Sequence, residues 1–274
     1  TAAHDLIERL LFMAKVLAIA NQKGGVGKTT TCINLAASLV ATKRRVLLID
    51  LDPQGNATMG SGIDKHALEH SIYDVLIGAC ALGTAMQSSE HGGYQLLPAN
   101  RDLTAAEVAL LEMQMKESRL RNALAPIREN YDYILIDCPP SLSMLTVNAL
   151  VAADGVIIPM QCEYFALEGL SDLINSIQRI AQALNPALKI EGLLRTMYDP
   201  RMSLTNDVSE QLKEHFGDQL YQTVIPRNIR LAEAPSFGMP ALVYDKQSRG
   251  ALAYLALAGE LSRRQRNSNK VATA

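Results

Sequence analysis

Two lysines, three glycines and a pair of threonines are packed into the ten residues NQKGGVGKTT (21–30). Such a run suits phosphate. Glycines let successive backbone N–H groups turn inward around phosphate oxygens, a lysine offsets their charge, and a hydroxyl ligates the accompanying magnesium. Gly24, Gly25 and Gly27 would do the turning, Lys28 would neutralise the β- and γ-phosphates, and Thr29 would ligate Mg²⁺. Lys23, Val26 and Thr30 complete the candidate nucleotide-binding set. The run departs from the G-x-x-x-x-G-K-[ST] pattern twice: Gln22 stands where the first glycine belongs, and Lys23 adds a second cation. A bare glycine turn is the alternative reading, and the intact Gly27-Lys28-Thr29 triplet argues against it.

Carboxylates close two apolar runs. YILIDC (133–138) places Asp137 where it would hold Mg²⁺ or its water, and RVLLIDLD (45–52) offers Asp50 and Asp52. An acid after a buried strand also starts turns and caps helices. Beside a phosphate loop the metal role is favoured.

These residues need a scaffold that gathers strand ends. Apolar runs recur at 15–20, 45–50, 94–99, 133–138, 155–162, 189–194 and 221–226. They are continuous rather than alternating, as strands covered on both faces require. Helical patterns fall at 28–43, 103–124, 143–153, 165–184 and 204–216, with a further apolar helix over 252–266. Alternation of this kind predicts an α/β fold with a doubly wound, mostly parallel twisted sheet flanked by helices. Ligands of such sheets bind at the C-terminal strand edges, where all three motifs would meet. Without a Gly/Ser/Pro linker or a repeat, residues 13–262 read as a single domain. Residues 56–71, small and polar, read as a mobile loop, and 263–274 as a frayed polar tail. Two readings stand for residues 1–12: an extension upstream of a natural start at Met13, or a short amphipathic helix with Leu6, Leu10 and Leu11 on one face beside Ile7.

Composition narrows the class. The chain is 48% hydrophobic and 20% charged with net charge −2, so any nucleic-acid surface must be local. Its four cysteines are far apart and form no C-x-x-C pair, which argues against structural zinc and for reduced thiols. No apolar run approaches the ~18 residues of a membrane span, and the start lacks signal-peptide order.

KGGVGKTT (23–30), LLIDLDPQGN (47–56) and LIDCPPSLS (135–143) together resemble the deviant-Walker P-loop ATPases, and more narrowly the ParA/Soj type that partitions chromosomes and plasmids. EYFALEGL (163–170), TMYDPRMSL (196–204) and IPRNIRLAEAPSFGMP (225–240) extend the likeness over residues 15–262. The resemblance implies ATP/ADP and Mg²⁺ as ligands and a slow ATPase. It also implies a homodimer on ATP, in which Lys23 reaches the nucleotide of the other subunit as an arginine finger does. By the same resemblance Asp52 orients the attacking water, Asp50 lies near the Mg²⁺ shell, and Asp137 is the Walker B acid. Pro226 and Asn228 are the candidate adenine contacts.

Family likeness further implies non-specific DNA binding, a ParB-type centromere-binding partner, and a cytoplasmic, nucleoid-associated location without membrane. Local cations that could meet phosphate are Arg195, Arg201, Arg227, Arg230, Lys246, Arg249, Arg263, Arg264 and Arg266, of which Arg201 and Arg230 match the family's DNA contacts best. Three rivals share the loop: a MinD-like membrane-associated ATPase, a nitrogenase-type iron protein, and a relative that positions other cargo. The stretch 252–266 reads as a core helix rather than a membrane anchor, and the cysteines are ill placed for a cluster.

Overall fold

The computed structural model describes residues 14–164 and 166–272, so the readings for residues 1–12 lie outside it. Its strands are β1 Lys15–Ile19, β2 Val46–Asp50, β3 Gln87–Ser88, β4 Gln95–Leu97, β5 Tyr133–Asp137, β6 Gly155–Gln161 and β7 Lys189–Thr196. They form one sheet in the order β3-β4-β2-β5-β1-β6-β7. All neighbours are parallel except the short edge pair β3–β4, which the sequence did not announce.

VLLID and YILID are buried along their whole length, as continuous apolar runs in the middle of a covered sheet must be. Alternate side chains divide between two cores. Leu17 and Ile19 of β1 pack with Cys32, Leu35 and Leu39 of helix α1 (Lys28–Ala41) and with residues of the C-terminal helix. Val16 and Ala18 face the other way. On that side lie α3 (Leu103–Leu111), α4 (Met144–Ala152) and α5 (Ala166–Leu184), whereas α2 (Asn56–Gly60), following β2, packs its Ala57 into the core shared with α1. Helix α5 shows the periodicity plainly: Leu170, Leu173 and Ile177 are buried on one stripe. Helices α6 (Ser203–Phe216), α7 (Ile229–Glu233) and α8 (Arg249–Ala272) complete the layers. The doubly wound, mostly parallel sheet expected from the sequence is the observed fold.

Four local expectations change. YQTVIP (221–226) is not a strand: isolated bridges at Leu193–Leu220 and Tyr198–Pro226 flank it, and the Tyr221 and Ile225 N–H groups donate to the Leu193 and Arg195 carbonyls of β7 without making a ladder. Side chains take the backbone groups between: Arg195 donates to the carbonyls of Tyr221 and Gln222, and Glu260 accepts from the N–H groups of Gln222 and Thr223. The helix expected over 103–124 is broken, because Met115 adopts a left-handed φ of 53°. Residues 56–60 form α2 rather than loop. Residues 263–272 continue α8 instead of fraying, since nothing in RRQRNSNK stops a helix.

Candidate functional site

The phosphate loop leaves the C-terminal end of β1 and enters α1 through Gly27, whose φ of 88° is open to glycine and strained for other residues. Gly25 is also left-handed, at φ 75°. A Cβ built on Gly24 or Gly25 would meet nothing within 4 Å, so this part of the loop faces open space rather than packing against protein. First-turn N–H groups of α1 have no side-chain cap and remain available to an anion.

Lys28 lies behind this loop, 8% exposed, its ammonium donating to the carbonyl of Lys23 at 3.1 Å. Burial lowers its pKa, and the nearby Asp137 carboxylate opposes that shift. Lys23 is exposed, and its ammonium pairs with Glu163 of the same chain. Two lysines five residues apart thus point to different tasks.

Sheet register sets the acidic side. Asp50 and Asp137 are partners on adjacent strands, both fully buried at the same level of the sheet. Asp137 accepts from the Thr29 hydroxyl at 2.7 Å and lies 3.5 Å from the Cys32 sulfur. Asp50 accepts from the Asp52 N–H at 3.1 Å, and from the Thr58 N–H and hydroxyl at 2.8 and 2.7 Å. Burial pushes both carboxyls up; Asp50 adds repulsion at Asp137, while the Thr58 donors restrain Asp50. Asp52, half-buried, caps its own turn by accepting from Gln54 N–H.

Hydroxyl and carboxylate donors at this spacing suit Mg²⁺, which takes one or two protein oxygens and completes its shell with water and phosphate. No group of three or more acidic, His or Cys side chains that could hold a metal ion is found among the described residues. Thr29 and Asp137 are the residues that would hold the ion, with Asp50 beside them. The residues present fit the group.

Sequence reasoning missed three residues that build this site. Thr58 ties α2 to Asp50, and its hydroxyl also accepts from Ala99 N–H at 2.9 Å. Gln161 at the end of β6 donates to the Gly25 carbonyl at 3.2 Å, and Thr196 at the end of β7 donates to the Val26 carbonyl at 2.8 Å. Each acts through a small polar group on a distant backbone atom, and no motif spacing records that.

The remaining candidates lie further along the same edge. Pro226 bridges Tyr198, two residues beyond Thr196. The Asn228 side-chain oxygen caps α7, accepting from Arg230 N–H at 3.0 Å. Arg201 is exposed and pairs with Asp199; Arg230 is held by Glu233 and Asp245. Two of the candidate cations are built into the protein rather than set on its surface. Arg195 is buried against Ser209 and the 221–222 carbonyls, and Arg264 packs over the Tyr221 ring and bonds Glu260. No helix among the described residues is long and apolar enough to cross a membrane.

A glycine loop between a buried parallel strand and a helix, with a carboxylate on the adjacent strand end, defines a P-loop nucleotide-binding protein. Residues 14–190 match the family model described as AAA domain. The chain is 52% identical over 255 residues to the chromosome partitioning protein ParA of Caulobacter vibrioides, covering 92% of this chain and 96% of that one. It is 51% identical over 250 residues to the sporulation initiation inhibitor protein Soj of Bacillus subtilis, covering 91% and 99%. Among solved structures, cobyrinic acid a,c-diamide synthase from Mycobacterium smegmatis with bound ADP and magnesium superposes with a TM-score of 0.83 at 39% identity, covering 93% of this chain and 97% of that one. The chain belongs to the AAA-domain P-loop family, in its ParA/Soj branch.

Proposed function

We propose that this protein is a Mg²⁺-dependent ATPase that dimerises on ATP, binds DNA without sequence preference as the dimer, and is released when a ParB-type partner stimulates hydrolysis, so segregating chromosome or plasmid DNA. The observation that carries the reading is the constellation of Lys28 and Thr29 at the start of α1 with Asp137 at the end of β5, beside one open loop, with the second cation Lys23 exposed at its rim. The named relatives support the partition role. Two states of the Mycobacterium smegmatis structure, with ADP and with an ATP analogue, each with magnesium, support ATP/ADP and Mg²⁺ as ligands.

In this mechanism the loop N–H groups and Lys28 bind the phosphates, and Thr29 and Asp137 hold Mg²⁺ with Asp50 beside them. When bound, Mg²⁺ supplies charge for the transferring phosphoryl oxygens. Asp52, at the open mouth, orients the attacking water. Lys23 of one subunit meets the phosphates of the other, where a cation aimed at developing charge accelerates transfer. Positioning dominates such reactions, so turnover stays slow until the dimer and its partner complete the site. Arg201 and Arg230 contact DNA phosphates, doubled in number by dimerisation. Pro226 and Asn228 border the base. The protein acts in the cytoplasm on the nucleoid.

Fluorescence polarisation of a random-sequence duplex tests this directly. Binding is expected with Mg²⁺-ATP and not with Mg²⁺-ADP, to weaken steeply with salt, and to vanish in Lys28→Ala. Equal binding in both nucleotide states, or none in either, overturns the DNA switch; anionic-vesicle binding in its place favours the MinD-like reading.

A further inference from the structure

Backbone N–H groups bind phosphate only if the carbonyls of the same loop are turned away. In this chain two of those carbonyls are held by side chains from distant strands. Gln161 Nε2 donates to Gly25 O at 3.2 Å, and Thr196 Oγ1 donates to Val26 O at 2.8 Å. Thr196 is 2% exposed, so its hydroxyl has no water to turn to. Its other acceptor is Met160 O at 3.1 Å, and one proton serves both carbonyls. The Thr196 methyl also lies against the turn, 3.7 Å from where a Cβ on Gly27 would stand. Glycines make the loop conformation available without choosing it, because their backbones are permissive. The choice comes from the ends of β6 and β7.

We propose that Thr196, assisted by Gln161, is a positioning residue for nucleotide binding: it holds the Val26 carbonyl outward so that the loop presents its N–H groups to phosphate before ligand arrives. The proposal rests on the phosphate-loop reading above and extends it to two residues outside the motif. Thr196→Val keeps the shape and the methyl and removes the donor, whereas Thr196→Ser keeps the donor and removes the methyl.

Isothermal titration of each variant with Mg²⁺-ADP, together with its melting temperature without ligand, tests the proposal, with Lys28→Ala as control. Thr196→Val is expected to bind about ten-fold more weakly, the range for a buried acceptor losing its donor, while Thr196→Ser stays within about three-fold of the parent. In turnover, Thr196→Val is expected to raise KM more than it lowers kcat, because Lys28, Thr29 and the carboxylates remain. A purely structural threonine would shift the melting temperature and leave affinity unchanged. Parental affinity in Thr196→Val, with binding lost in Lys28→Ala, overturns the positioning role alone. Parental affinity in both overturns the phosphate-loop reading as well. Should Thr196→Val fail to fold, Gln161→Leu carries the test: about three-fold weaker binding supports the proposal, and parental affinity overturns it.

Discussion

Lys28 and Lys23 carry the same charge on the same stem, and their surroundings divide their work. Lys28 is desolvated behind the loop, where an ammonium interacts strongly with any anion that arrives. Lys23 stands at the rim with only Glu163 to answer it, a solvated pair worth ~0–1 kcal/mol and easily exchanged. The carboxyls have a measurable consequence. Burial raises Asp137, with repulsion from Asp50 added, so the folded chain holds a proton that the unfolded chain gives up. The contribution of this carboxyl to stability without Mg²⁺ is therefore greatest at low pH. It should fall as pH rises from the ordinary carboxylate value of ~4 through the raised one. Melting in EDTA across pH 5–8 should show this slope, Asp137→Asn should flatten it, and saturating Mg²⁺-ADP should oppose it. At this scale the sequence was legible where chemistry is contiguous: residues 23–30, Asp50, Asp52 and Asp137 all lie on the site edge. Thr58, Gln161 and Thr196 were not legible, because each is defined by a backbone partner far away in the chain.

Among the elements, β1, β2, β4, β5, β6 and β7 were readable because both faces of the sheet are covered and that leaves apolar runs; α1, α4, α5 and α6 were readable too, but the short helices between β2 and β5 were not. YQTVIP misled for a physical reason: an apolar run looks the same whether a neighbouring strand or a pair of charged side chains satisfies its backbone. Here Arg195 and Glu260 share that task with single bonds from the Tyr221 and Ile225 N–H groups to β7. This reassigns Arg195 from DNA phosphate to the protein interior. Arg195→Met leaves two carbonyls and the Ser209 hydroxyl without their donor, and should lower unfolding free energy by about 2–3 kcal/mol, read by urea denaturation. DNA affinity per folded molecule should not change, in contrast to Arg201→Ala, which should weaken it and reduce its salt dependence. β4 falls within the run read at 94–99, but its antiparallel edge partner β3 was invisible because two residues are too few to make a pattern.

At the scale of the molecule, the proposed dimer asks Lys23 to leave Glu163 and serve another chain. Lys23→Ala should therefore keep measurable Mg²⁺-ATP binding, since Lys28 is untouched, yet stay monomeric in sedimentation velocity at saturating ATP. A Lys23→Ala dimer would remove the lysine from the interface. Strand order carries a different implication. β1 is flanked by β5 and β6, and its Lys15 pairs with Tyr133 rather than with anything in β2. In chain order the glycine loop is made before β5, which pairs with β1 and carries Asp137, and before β6 and β7, which brace the loop. Closing so long a loop must precede any contact that rewards it. Until β5 and β6 are made, the apolar residues of β1 lack the strands that flank them, and uncovered apolar strands are prone to aggregate during folding.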